Sequence, residues 1–331
     1  MKERWIKLAK TYGGLVGFPL FYLLCLAVFA SMTFPYDVLR DRIVATYNKD
    51  QSASGGLQEL QIDSMDGHWL TGVHMHGVTL TTGSSEVGKA PTKMSIDDAT
   101  VRYALLPALF GGSRIDFVIH AFGGAVNGAL GASGEDRTID ATVDSMDVGS
   151  VGSLSAILGA PVDGKLEGLV RLKMPGGKLS KATGQVALDV KGMAVGDGKA
   201  KVMNALAMPR LDVGTLTLSG DAKDGNLKLT KLSAAGKDVD IAGDGRVQLR
   251  DQPSDSLLDL NLRFRINDTY RSKSEVTKTL FGPPGTTGQG VFELADPRIK
   301  QSRRADGFYA WTVHGPMSHP DFTPVVARPG Q

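Results

Sequence analysis

Leu257-Leu258-Asp259-Leu260-Asn261-Leu262-Arg263-Phe264-Arg265-Ile266 alternates apolar and polar residues without a break from Leu258 onward. Successive side chains of a strand point to opposite faces of its sheet. Leu258, Leu260, Leu262, Phe264 and Ile266 therefore make one apolar file, and Asp259, Asn261, Arg263 and Arg265 a polar one. The same period of two recurs over 166–174, 186–190, 227–232 and 247–249. The chain reads as mainly β, an antiparallel sheet built from hairpins with one apolar face. Such a face needs a second layer, a membrane or a ligand to cover it, and few segments here are long enough to supply a helical layer.

Composition narrows the classes. With 331 residues and 42% hydrophobic residues the chain is too apolar for global disorder. Lys and Arg number 37 against 35 Asp and Glu, so there is no basic excess of the kind that non-specific nucleic-acid binding requires, and no nucleic-acid partner is expected. The 41 glycines follow no every-third-residue period and read as turns between short strands. Cys25 is the sole cysteine, which leaves no disulfide and no thiolate metal site within one chain.

Residues 12–34 carry no charge, and Leu15, Val16, Phe18, Leu20, Phe21, Leu23, Leu24, Leu26, Val28 and Phe29 form their apolar body. As a helix they extend about 35 Å, enough to cross a hydrocarbon core of about 30 Å. Lys2, Arg4, Lys7 and Lys10 precede the run, and positive charge before a first span keeps that end cytoplasmic. Cleavage as a secretory signal after Ala30 is the alternative. The run outlasts a signal core of about 7–15 residues, which favours a retained anchor. The expected organisation is a cytoplasmic start at 1–11, a transmembrane helix at 12–34, a juxtamembrane amphipathic helix and linker at 35–50, and a β domain at 51–331.

Within 36–47, Val38, Leu39, Ile43, Val44 and Tyr47 are expected on one helix side and Arg40, Asp41 and Arg42 on the other, with a loop at 48–56. Hairpin turns are expected at Asp66-Gly67, at 223–226, at 235–238 and at Gly243-Asp244-Gly245, and a bend at Gly123-Gly124. Short helices are expected at 105–110, 151–158, 199–208 and 274–281, and closing strands at 290–294 and 307–314.

Several stretches resemble one family. The basic start and single span, then Phe34-Pro35-Tyr36-Asp37-Val38-Leu39-Arg40-Asp41-Arg42-Ile43, the element from Ala234 to Leu249, and His314-Gly315-Pro316 through Pro320 resemble type II secretion system protein N. That family looks like a branch of the AsmA-like group of bacterial envelope proteins, whose segments the Gly-Gly-flanked strand before Gly124 also resembles. The resemblance implies a single-pass inner-membrane protein with an elongated, curved, trough-like periplasmic sheet, accessory to the type II secretion machine and partnered by its other proteins, without catalysis. Kinship with the AsmA-like group implies lipid binding or transfer in an apolar groove. It supplies no set of functional residues.

On the residues themselves, the groove candidates are Leu258, Leu260, Leu262, Phe264 and Ile266 with Val247 and Leu249, and Arg263 and Arg265 are candidates to meet an anionic head group or an acidic partner. His74-Met75-His76 places two imidazoles on one strand face, but a metal site would need a third ligand such as His68 or Asp66, so the pair reads as solvent-facing strand residues and no metal is expected. The pairs Asp97-Asp98, Glu135-Asp136 and Asp238 with Asp240 read as turn and wet-face residues. The glycine-rich stretch 285–290 lacks the lysine of a phosphate loop, and no Gly-x-Ser-x-Gly elbow occurs. No enzyme and no cofactor are expected.

Overall fold

A computed structural model describes residues 17–19, 21–23, 25–26, 28–53, 56–83, 92–104, 107, 111–150, 160–197, 201–202, 206–207, 209–285 and 290–326. The chain divides into two compact units, Met1–Leu106 and Pro107–Gln331. Strands dominate the second unit, where the helices are short, while the first combines two long helices with three strands.

In the first unit, helices α1 (Gly17–Thr33) and α2 (Tyr36–Ala53) meet at a 63° bend. Pro35 accounts for the break, because the residue before a proline is pushed out of the helical region. Among the described residues no single helix is long and apolar enough to cross a membrane, and only the bent pair passes by length and composition. Phe18, Phe21, Leu23, Leu26, Val28 and Phe29 are exposed on α1, whereas Leu15, Val16, Leu20 and Leu24 lie outside the described residues.

Strands β1 (Gln58–His68), β2 (Gly72–Thr82) and β3 (Thr92–Tyr103) follow as an antiparallel meander, and two local expectations change here. The helix expected to end at residue 47 continues to Ala53. Asn48 stays helical because its amide is used by the neighbouring strand: Nδ2 donates to the Leu60 carbonyl at 3.1 Å and Oδ1 accepts from the Leu60 N–H at 2.8 Å. The half-buried side of α2 is Tyr36, Leu39, Arg40, Val44, Tyr47 and Asn48, while Val38 and Ile43 are exposed. Arg40 belongs to the inner side because it donates to the Asp63 carbonyl.

The second change concerns Asp66-Gly67, which is not the turn. Both residues stay paired, with His74 and Val73, and the chain reverses at residues 69–71, where Trp69 adopts φ 55°. Gly67 is required for a different reason: a Cβ there would lie 2.5 Å from the Tyr36 hydroxyl.

The second unit runs β4 (Gly112–Ala121), β5 (Gly124–Ser133), β6 (Asp136–Asp147), β7 (Val162–Met174), β8 (Thr183–Val195), the two-residue strands β9 (Lys201–Val202) and β10 (Leu206–Ala207), then β11 (Leu211–Lys223), β12 (Asn226–Ala235), β13 (Val239–Gln248), β14 (Leu257–Ile266), β15 (Tyr309–Pro316) and β16 (Asp321–Pro324). From β4 to β16 each strand of the ladder pairs antiparallel with its chain neighbours, β8 joining β11 beyond the small β9–β10 hairpin. Among the described residues the ladder is not closed, since β16 pairs with β15 alone.

Of the residues 199–208 expected as a helix, the described ones, 201–202 and 206–207, are paired strands. Fewer than three turns between Gly198 and Pro209 make a marginal helix. Gly243-Asp244-Gly245 lies inside β13 and not at a turn, with Gly243 opposite Leu262 and Gly245 opposite Leu260. The turns at 223–226 and 235–238 fall where expected, Asp224 and Gly225 both taking positive φ. The bend at Gly123 is a hairpin between β4 and β5.

Between β14 and β15 come α3 (Asp268–Arg271), α4 (Glu275–Phe281), α5 (Val291–Ala295) and α6 (Pro297–Ser302). Ser274 caps α4 through a capping box with Thr277, matching the helix expected at 274–281. The strand expected at 290–294 is instead α5, which delivers Glu293 to Arg303 and Tyr309. The expected segments at 105–110, 151–158 and 285–290 fall wholly or largely outside the described residues.

Candidate functional site

In an antiparallel ladder, residues directly opposite share a face, so register alone sorts the second unit into two surfaces. Phe117, Gly128, Ala141, Val170, Val186, Gly220, Leu229, Gly245, Leu260, Val313 and Phe322 are successive partners across all eleven strands. Not one is polar. One residue along, the corresponding row reads Asp116, Ala129, Asp140, Arg171, Gln185, Asp221, Lys228, Arg246, Asp259, His314 and Asp321. Two further apolar rows flank the first: one runs from Ile115 through Leu172 and Val247 to Leu258, the other from Ile119 through Leu188, Leu218 and Leu232 to Leu262 and Trp311. Eleven strands make ten interstrand steps, which at about 4.8 Å each carry the central row over about 48 Å.

This face is covered unevenly. Where β11 to β14 meet α3 and α4, Val213, Ala234, Val239, Ile266 and Tyr270 are buried together, with Phe264 and Phe281 against them. Phe264, Phe292, Tyr309 and Trp311 add a ring cluster there, with Phe264 and Tyr309 stacked at 5.5 Å. A second buried group comprises Ala222, Leu227, Leu229 and Val247, rimmed by half-buried Leu172, Val186, Leu218, Leu232, Leu249, Leu258 and Leu260. Toward β4 the side chains of Phe117, Ile119, Val126, Ile139 and Val143 remain half-buried, and Leu130 is 42% exposed.

The groove candidates therefore divide. Ile266 and Phe264 belong to the helix-covered core, Val247 to the buried patch, and Leu249, Leu258, Leu260 and Leu262 to the half-open part. Arg263 and Arg265 lie on the opposite face from the leucine file, as their alternation requires. Arg263 lines a cleft of about 550 Å³ with Asp244, Asn261, Arg304 and Asp306. Arg265 donates to Asp240 at 2.7 Å and lies 4.9 Å over the Phe308 ring.

Arg265 also lines a smaller cleft of about 360 Å³ with Arg271 and Arg303, at the end of β14. Arg271 is 5% exposed and its Nε has no partner among the described residues; its nearest carboxylate oxygen, on Asp268, is 4.0 Å from that nitrogen. Arg303 donates to Glu293 at 3.1 Å, and the same carboxylate oxygen accepts from the Tyr309 hydroxyl at 2.6 Å. The alternation makes Arg265 visible in sequence. Arg303 and Glu293 carry no such sign, because they meet only through the fold of α5 and α6 against β15. Comparison with protein-family models, with curated proteins and with solved structures gave no match.

Proposed function

We propose that the chain is an inner-membrane-tethered binding module of the bacterial envelope, with its second unit in the periplasm, curved into a trough that holds an acyl chain against its apolar face. The apolar row unbroken across eleven strands carries this reading. A sheet face that needed only a structural cover would be buried along its length, whereas this one is half-open from β4 to β8. Glycines set opposite large side chains, such as Gly128 beneath Phe117, and register shifts in β11 and β12 supply curvature. The cleft of Arg265, Arg271 and Arg303 offers counter-charge to an anionic group at the end of β14, on Arg265's side of the sheet. The uncharged run at 12–34 supplies the tether.

A photo-crosslinking amino acid tests the reading in cells. Placed at Leu218, on the apolar face, it forms lipid adducts detected by mass spectrometry. At Gln185, exposed on the polar face, it forms none. Leu262→Glu lowers the yield of adducts while circular dichroism of the variant stays that of the parent. Equal labelling at both positions, or none at either, overturns the proposal.

A second reading is a structural accessory of the type II secretion machine. Its support is the open edge of β16, whose unpaired backbone can accept a partner strand. Deletion of the gene then reduces exoprotein secretion, and normal secretion counts against it.

A further inference from the structure

The first unit holds a cluster of a different kind. His74 and His76 lie two residues apart on β2, so their rings share a face, with centroids 4.0 Å apart. Strand β3 sets Asp98 directly opposite His76. Asp98 Oδ1 is 2.5 Å from His76 Nδ1 and 3.4 Å from His74 Nε2. One ligand atom from each of the three residues lies within 4.8 Å of the others. We propose that His74, His76 and Asp98 form a binding site for a first-row divalent transition ion, zinc in the first instance.

Three observations support the assignment. The donor set, two imidazoles and one carboxylate, suits zinc, copper, nickel or iron, whereas magnesium and calcium prefer oxygen alone. Donors held at about 2.0–2.2 Å from one tetrahedral ion stand a little over 3 Å apart. The His74–Asp98 separation already fits that spacing, and the His76–Asp98 contact needs to open by only a fraction of an ångström. The three residues also project from two strands joined by a continuous ladder and not from a loop, which fixes their spacing before any ion arrives.

All three are half-buried, with side-chain exposures of 32%, 46% and 38%, so an ion has both access and shelter. Asp98, and not His68 or Asp66, completes the cluster, against the expectation from sequence that the two histidines are solvent-facing strand residues without a metal. His68 sits edge-on to His74 with ring centroids 6.4 Å apart and lies outside the ligating group. Three protein ligands leave a tetrahedral ion one open position for water or for a donor from a partner. The competing state is a hydrogen-bonded cluster in which Asp98 simply accepts from both rings.

The test uses the untagged full chain in detergent, stripped with a chelator and titrated with Co²⁺ and then with Zn²⁺ as competitor. One equivalent of Co²⁺ gives a visible d–d band that Zn²⁺ abolishes. His76→Gln and Asp98→Asn each weaken binding at least tenfold, while His68→Gln and His120→Gln leave it unchanged. Because a variant at the ligand positions can misfold, X-ray absorption of the zinc-loaded wild type supplies a second reading, with two imidazole nitrogens in the inner shell. Absence of stoichiometric binding, binding undiminished in His76→Gln and Asp98→Asn, or an inner shell without imidazole leaves a hydrogen-bonded cluster only and overturns the site. The site lies in a different unit from the apolar face, so its failure does not touch the lipid reading.

Discussion

Asp238 begins the turn into β13 with 1% of its surface exposed, and its carboxylate accepts from the Asp212 N–H at 2.8 Å and from Lys273 Nζ at 2.7 Å. A carboxylate this deep survives only when its oxygens are paired, so the wet-face role expected from sequence does not apply to it. Lys273→Met leaves that charge buried with one partner and costs about 3 kcal/mol, measured as a lowered urea midpoint of the full chain in detergent. Two phenols behave alike. Burial first, then the charge of Asp238, pushes Tyr270 up to about 12. Burial, then the hydrogen bond to Glu293, holds Tyr309 above the usual tyrosine range. Unfolded tyrosines lose their proton near pH 10. Above that pH the unfolded state therefore binds fewer protons than the folded one, so stability falls as pH rises from about 10. Ultraviolet titration finds Tyr270 and Tyr309 ionising above the usual tyrosine range, and Tyr309→Phe reduces the alkaline loss of stability.

Strands were legible from their period of two because each keeps one face apolar, and the alternation survives whatever its neighbours do. Turns were less legible. Asp66-Gly67 has the local chemistry of a reversal, yet Gly67 is present because the Tyr36 ring lies over it, a contact 31 positions away along the chain that no local pattern records. The end of α2 was missed for the same cause, since Asn48 is held helical by Leu60 across the gap to β1. The helix at 274–281 is a local feature, and there sequence and structure agree: Ser274→Ala removes the half of the capping box in which Ser274 Oγ accepts from the Thr277 N–H and costs about 1 kcal/mol, visible in the thermal midpoint. On the sheet, a Cβ at Gly128 would lie 2.6 Å from both Phe117 Cζ and the Asp140 carbonyl oxygen. Gly128→Val forces the ring aside and destabilises by about 1–3 kcal/mol, while a paired Phe117→Leu recovers part of the loss.

Across the second unit, stability is distributed along one direction. The large buried side chains cluster between β11 and β15, while β4 to β6 bury only alanines. Amide hydrogen exchange therefore finds β11 to β14 protected longest and β4 to β6 opening first; uniform protection contradicts this. The apolar face was legible because register preserves the alternation from strand to strand. The third member of the histidine cluster was not, since Asp98 reaches His76 only through the β2–β3 pairing. One feature of the ladder bears on how such a chain is made. Every strand bonds to those just before and just after it in the ladder, and nowhere does an early strand wait for a late one. A chain made from its N-terminus can thus add its strands in order, each new hairpin covering the last exposed edge.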